Sequence, residues 1–273
     1  MQYSYMKENK VSFEELHGIG PKRAANKDAG GYDGGVGGLF LEGLTVCVDY
    51  ADFLDVTLTA NLDHFDEFVV VTSTTDKATQ GVCAKHGVTC VKTDIYKEDP
   101  LDKFNKGLMI NMGLAHLRHR GWIVHLDADV ALPDRMRFML NKMRLDVDAI
   151  YGADRFNVVG KKKWEEIQKT NEGQRQYHHY YLVNGPSLPL GARLVHNEYG
   201  YCPIGYFQMW NSKYNHYRYH SSQGSAEHTD VLFALQWPAQ KRLLLPGFFV
   251  YHLESESAKM GANWTSRTTA PFK

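Results

Sequence analysis

The sequence holds little cysteine and no cysteine pattern. Its four cysteines, Cys47, Cys83, Cys90 and Cys202, fall at irregular spacing without a Cys-x-x-Cys pair. That excludes a disulfide framework and points to reduced thiols. Cys83, His86 and Cys90 could be drawn as zinc ligands, but no fourth partner accompanies them. No run of about 18 apolar residues occurs, and Met1–Lys10 lacks the apolar stretch of a signal peptide. A protein without a membrane span, working in the cytoplasm, is therefore expected. An excess of one charge is also missing. Lys plus Arg and Asp plus Glu are both 31, which argues against a protein built mainly for non-specific nucleic-acid or acidic-membrane binding. What is plentiful is Tyr (16), His (13) and Trp (5), residues that suit a polar, stacking-rich pocket and also fill ordinary cores.

At 273 residues the chain fits one large domain. Residues 1–40 read as a flexible or peripheral segment. Glycines 30, 31, 34, 35, 37 and 38 crowd together with no strand before them and no helix after, so they are not a phosphate-binding loop. Leu16–Ala24 resembles the hairpin of a helix-hairpin-helix DNA-binding motif, but Ala25–Asp28 does not continue into its second apolar helix. The sequon at Asn263-Trp264-Thr265 is a pattern only.

From residue 44 the text changes. Leu44–Val48, Phe68–Thr72, Val88–Val91 and Trp122–Asp127 read as buried strands, separated by helical patterns after Asp49, over 77–86 and over 104–119. Strands alternating with helices predict an α/β fold with a mostly parallel sheet flanked by helices. Ligands bind such sheets beyond the carboxyl ends of the strands, where Asp49, Thr72-Ser73 and Asp127-Ala128-Asp129 all fall. An extended backbone points residues i and i+2 to one face. Asp127 and Asp129 would then project together, as hard oxygen donors suited to a divalent cation that also binds phosphate. An acidic turn after a strand is the plainer alternative.

Residues 44–152 resemble the nucleotide-binding half of a GT-A glycosyltransferase, nearest in pattern to family 2. The resemblance is carried by Asn105-Lys106-Gly107, Asn111–Ala115, Trp122–Val130 and Pro133. It implies a GT-A (Rossmann-like) fold: a domain over 41–273, with a nucleotide-sugar half at 44–152, an acceptor-side half at 153–254 and a tail or lid at 255–273. It implies Mn²⁺ or Mg²⁺ held by Asp129, with Asp127 contributing to the metal or facing the donor's ribose or sugar. Asp49, Tyr50, Thr72 and Ser73 would line the base and ribose, and Lys106 and Asn111 would approach the donor. Plainer roles stand beside the last two: a solvated lysine at a helix start, and a helix residue bonding the sheet loops. The first two strands end in Asp-Tyr and Thr-Ser, where many family 2 members carry a proline turn with Asn and an acidic pair, so the nucleotide stays open.

In the second half, Ala149–Arg155, Pro203–Trp210 and Leu243–Glu254 read as further strands, and 231–235 as a helix. Lys161–Lys163 with Arg155 and Trp164 forms a basic patch whose bland reading is a solvated helix face. Glu227-His228-Thr229-Asp230 lies just ahead of the 231–235 helix, ordinary N-cap chemistry. The resemblance makes Asp230 first, and Glu227 second, the base that deprotonates an acceptor hydroxyl. It makes His252 the third metal ligand, whose imidazole would favour Mn²⁺, and Lys259, Trp264 and Arg267 parts of a lid.

The expected activity is therefore transfer of a sugar (hexosyl type) from a nucleotide-diphosphate-sugar, UDP-linked by weak preference, to a hydroxyl. The acceptor is open among glycan, small molecule, protein and modified nucleic-acid base. A nucleotidyltransferase making the nucleotide-sugar is the second reading, although it calls for a glycine-rich loop after the first strand. A non-catalytic sugar- or nucleic-acid-binding module is the third.

Overall fold

The structure, a computed structural model, describes residues 38–94, 105–169, 196–197, 200–220, 226–256 and 269–273, with only the backbone for 196–197 and 226–228. The sequence readings at 1–37 and at Lys259, Trp264 and Arg267 lie outside these residues, as do the side chains of Glu227 and His228.

The described chain begins with β1 (Leu41–Val46), α1 (Ala51–Asn61), β2 (Glu67–Thr72), α2 (Lys77–His86) and β3 (Thr89–Lys92). Next come α3 (Lys106–Leu114), β4 (Trp122–Asp127), β5 (Val130–Ala131), α4 (Met136–Lys142), β6 (Ile150–Val159) and α5 (Lys161–Lys169). A short hairpin, β7 (His196–Asn197) and β8 (Gly200–Tyr201), precedes β9 (Phe207–Asn211), α6 (Ala226–Ala234) and β10 (Arg242–Glu254). Eight strands form one sheet in the order β3-β2-β1-β4-β9-β6-β10-β5. Pairings from β3 through β4, and between β6 and β10, are parallel; β9 runs antiparallel between β4 and β6, and β5 antiparallel to β10. The chain is thus α/β with a mostly parallel central sheet flanked by helices. Among the described residues no helix is long and apolar enough to cross a membrane.

The sequence explains the layers. Val69, Val70 and Val71 are all buried because β2 is covered on both faces. One face packs Leu54, Leu58, Val70 and Val124; the other packs Leu44, Val71, Met109, Ile110 and Leu114. Asp76 caps α2 by accepting from Thr79 N at 3.0 Å, and Gly87, at φ 68°, ends it in the left-handed conformation. Within β10 the register against β6 shifts between Leu244 and Phe249, around Pro246-Gly247, and this bulge resets the strand that delivers His252.

β1 starts three residues earlier than its apolar run predicts, because it contains a buried carboxylate. Glu42 is 0% exposed and accepts from the backbone N–H of His119 and of Arg120, both at 2.8 Å. It fixes the turn that launches β4. Replacing Glu42 with Ala would remove two hydrogen bonds to a buried charged acceptor, each contributing about 1.5–3 kcal/mol. We expect Glu42→Ala to lower unfolding free energy in urea by about 3 kcal/mol.

Candidate active site

The site forms where β1, β2 and β4 end. The expectation that strand alternation alone presents both aspartates is corrected: β4 stops at Asp127, and Ala128-Asp129 is a turn carrying the chain to β5 at the far edge of the sheet. Asp127 and Asp129 therefore face different partners. Lys106 Nζ, one residue past the Asn105 cap of α3, pairs with Asp127 Oδ1. His252 Nε2 lies 3.5 Å from Asp129 Oδ2, brought there because β10 pairs His252 with Val130. Side-chain exposures of 31% for Asp127 and 28% for Asp129 leave both open to a ligand.

Charge and burial treat the two carboxylates differently. Burial pushes Asp127 up, but the charge and hydrogen bond of Lys106, with His125 and His252, together outweigh it and hold the carboxyl below its ordinary range. At Asp129 burial, helped by Asp127, prevails over His252 and raises the carboxyl. Lys106 is held above its ordinary value: burial opposes its charge, but Asp127, Asp230 and Asp129 surround it. His252 Nδ1 lies 3.2 Å from Glu254 Oε1, which fixes the ring with Nε2 towards Asp129. Glu254 is a residue the sequence reading quoted but did not assign; its i+2 spacing from His252 on a strand was the available signal.

As they stand, no three His, Cys, Asp or Glu side chains among the described residues come together to hold a metal ion, since Asp127 is turned to Lys106. The Asp129 end nevertheless fits one. Asp129 Oδ1 is buried with no hydrogen-bond partner among the described residues, and an imidazole nitrogen faces the other oxygen. Mixed nitrogen and oxygen donors of this kind suit Mn²⁺.

Asp230 comes from α6. Its Oδ2 accepts from Gly205 N at 2.9 Å, and Gly205 is required there: a Cβ would sit 2.3 Å from that oxygen. Burial, with Asp127 adding to it and Lys106 pulling against it, brings the carboxyl to about 6. Its other oxygen, Oδ1, is buried and unpartnered among the described residues. Gly107 has a matching role, since a Cβ on it would lie 2.3 Å from the His220 carbonyl. The glycine after Lys106 thus lets the 219–220 segment close against α3.

The other predicted residues are placed as follows. Asn111 commits both ends of its amide to the backbone of Tyr219, at 2.8 and 2.9 Å, which is the loop-bonding geometry. Thr72 and Ser73 are fully buried; the Thr72 hydroxyl donates to Asp76 Oδ2 at 3.3 Å and Ser73 Oγ lies 2.8 Å from Thr75 Oγ1. Asp49 is exposed, with a left-handed backbone at φ 63° and its N–H held by Asp76 Oδ2 at 2.8 Å. Tyr50 is half-buried with its ring 5.8 Å from Phe53. Asp76, which ties the ends of β1 and β2 to the α2 cap, was not singled out from the sequence; an Asp directly before the helical pattern at 77–86 is the signal that marks it. Arg155 does not belong to a surface basic patch. It is buried on β6 with its guanidinium 5.0 Å from the Tyr206 ring, and its charge acts on Asp129 and Glu254. Lys161–Lys163 are exposed on α5, while Trp164 and Ile167 bury its other face.

The class defined here is an α/β chain with paired aspartates, a histidine and a buried lysine at the carboxyl edge of its sheet. No protein-family model and no curated protein matches it. Among solved structures it is similar to a mycobacterial protein at 11% identity, covering 80% of this chain and 66% of that one, with a TM-score of 0.45. It is also similar to glucosyl-3-phosphoglycerate synthase from Mycobacterium tuberculosis in complex with Mn²⁺, uridine diphosphate and glucosyl-3-phosphoglycerate: 8% identity, 79% and 71% coverage, TM-score 0.45. A third is mannosyl-3-phosphoglycerate synthase from Rubrobacter xylanophilus, at 15% identity, 64% and 54% coverage and a TM-score of 0.38. The chain spans about two thirds of the length of the first of these. The ligands are those proteins' own; identities this low assign none of them to this chain.

Proposed function

We propose that the chain is a metal-dependent glycosyltransferase that moves a sugar from a nucleotide-diphosphate-sugar to a hydroxyl acceptor. The observation that carries this reading is a division of labour among carboxylates around one lysine. Asp129, with a buried oxygen that has no hydrogen-bond partner among the described residues and with His252 beside it, would hold Mn²⁺ or Mg²⁺. Asp230, brought to about 6, is matched to taking a proton near neutral pH. A bound divalent ion supplies Lewis-acid stabilisation of the departing diphosphate.

The chain's own residues do the rest. Lys106 sits buried among Asp127, Asp129 and Asp230, positioned to exchange its contact with Asp127 for one with donor oxygens. Asp127, once released, can accept from a ribose or sugar hydroxyl or join the metal. Glu254 keeps the His252 ring oriented. Asp49 and Tyr50, at the open end of β1, offer a carboxylate and a ring to base and ribose. Asp230 Oδ1, unpartnered among the described residues, receives the acceptor proton while Gly205 N holds Oδ2 in place. Glu227 lies one helical turn before Asp230 and is the second candidate for that proton.

The test is release of nucleoside diphosphate from UDP-, GDP-, ADP- and dTDP-sugars, with Mn²⁺ present and absent. We expect Mn²⁺-dependent release from one donor. No release from any donor would favour a binding module, and pyrophosphate release from a nucleoside triphosphate and sugar phosphate would favour nucleotidyl transfer.

A further inference from the structure

The aspartate turn is held from beneath by α1. Thr57 and Asn61 lie four residues apart, hence on one face of the helix, and each is only 2% exposed. The Thr57 hydroxyl donates to the carbonyl of Ala128, the residue between the two aspartates, at 2.8 Å. Asn61 Nδ2 donates to the Val130 carbonyl at 2.8 Å, while its Oδ1 accepts from Leu132 N at 2.8 Å. The carbonyl between these, that of Asp129, accepts from Leu253 N at 2.8 Å. Three consecutive carbonyls are therefore anchored, two of them by side chains of a single helix. That helix is itself tied down at its first turn, where Asp52 Oδ2 accepts from Phe272 N at 2.6 Å and Phe53 packs on the Phe272 ring at 4.8 Å.

A two-residue turn has few bonds of its own, and the direction of the Asp129 carboxylate follows from the peptide planes on either side of it. From this geometry we propose that Thr57, supported by Asn61, is a positioning residue for the Asp127–Asp129 turn and sets that turn's affinity for a divalent cation. The proposal rests on the metal reading given above. Thr57 touches neither cation nor substrate; it acts by pinning the Ala128 carbonyl so that Asp129 stays aimed at His252. Side chains that orient metal ligands in this way are typically worth about 10–100-fold in metal affinity.

The test measures Mn²⁺ uptake by the full chain directly, from loss of the free-ion signal in electron paramagnetic resonance, with thermal midpoints recorded on the same samples. Thr57→Val keeps the side-chain shape and removes the hydroxyl; Thr57→Ser keeps the hydroxyl. We expect Thr57→Val to bind Mn²⁺ at least about tenfold more weakly than wild type and Thr57→Ser to bind like wild type. Thr57→Val binding within twofold of wild type, or Thr57→Ser as weak as Thr57→Val, would overturn the proposal. Wild type taking up no more Mn²⁺ than Asp129→Ala overturns the metal reading beneath it, so the two failures are read from different samples.

Discussion

Asp129→Asn is expected to remove metal-dependent turnover and, at pH 7, to raise the melting temperature. Both halves follow from the same burial. The carboxyl of Asp129 is raised in the folded chain, so the folded state holds its proton more tightly than the unfolded state does. Its stability contribution is most favourable at low pH and is lost as pH rises from the ordinary carboxylate range to the raised folded value. At pH 7 the charged, partly dehydrated group is a liability that asparagine relieves without changing shape. Catalysis goes the other way, because the same oxygen is the free donor offered to a cation. Losing transition-state charge stabilisation of this kind costs on the order of 10³-fold. Differential scanning fluorimetry paired with nucleotide-release kinetics checks both. Undiminished turnover in Asp129→Asn would sink the site assignment, and a large drop in melting temperature would show that Asp129 serves the fold.

Asp230→Asn is expected to lower kcat by about 10²–10⁴-fold, the usual contribution of a general base. It should also erase the acidic limb of the pH profile. In wild type the carboxylate form of Asp230 is available above about 6 and is lost as pH falls through that value. The rate should therefore fall tenfold per unit well below it. The mutant's residual rate should be flat across the same window. A wild-type profile flat from pH 5 to 7.5, or a mutant that keeps the acidic limb, would assign the base elsewhere, with Glu227 next to be replaced.

Much of the fold was legible because β2 and β4 are short apolar runs ending in polar residues, the mark of strands buried on both faces. Boundaries moved where a polar residue has a buried partner far away in sequence. Glu42 hides three residues of β1, since nothing near it announces the two N–H groups of the turn before β4. Helix α3 was read to 119 but stops at Leu114; His119 then takes a left-handed backbone at φ 56°, a conformation set by its bond to Glu42. At the site, Asp127 and Asp129 were singled out by spacing, and Lys106 and His252 by family resemblance, and the chain brings the four to one edge of the sheet. Their pairing was not readable. That Lys106 contacts Asp127 and His252 faces Asp129 depends on the turn at Ala128 and on β10 lying beside β5. Arg155 was misplaced because β6 is covered on both faces, so that consecutive residues Asp154, Arg155 and Phe156 are all buried, whereas an arginine at a strand end reads as a surface charge. Thr57 and Asn61 gave no signal beyond being polar residues four apart on a mostly apolar helix.

The sheet's pairing pattern bears on how the protein folds. β1 joins β4 in parallel across 81 residues, as the Thr45 hydroxyl bonded to the Leu126 carbonyl marks. His252 reaches Asp129 only after β10 has aligned with both β6 and β5. Contacts this distant along the chain must close large loops before they return any stabilisation, and they make for slow folding. The proposed cation site at Asp129 and His252 is accordingly expected to be among the last features to form. A divalent ion added at the start of refolding from urea should leave the rate unchanged and slow only the reverse reaction, lengthening the lifetime of the finished molecule.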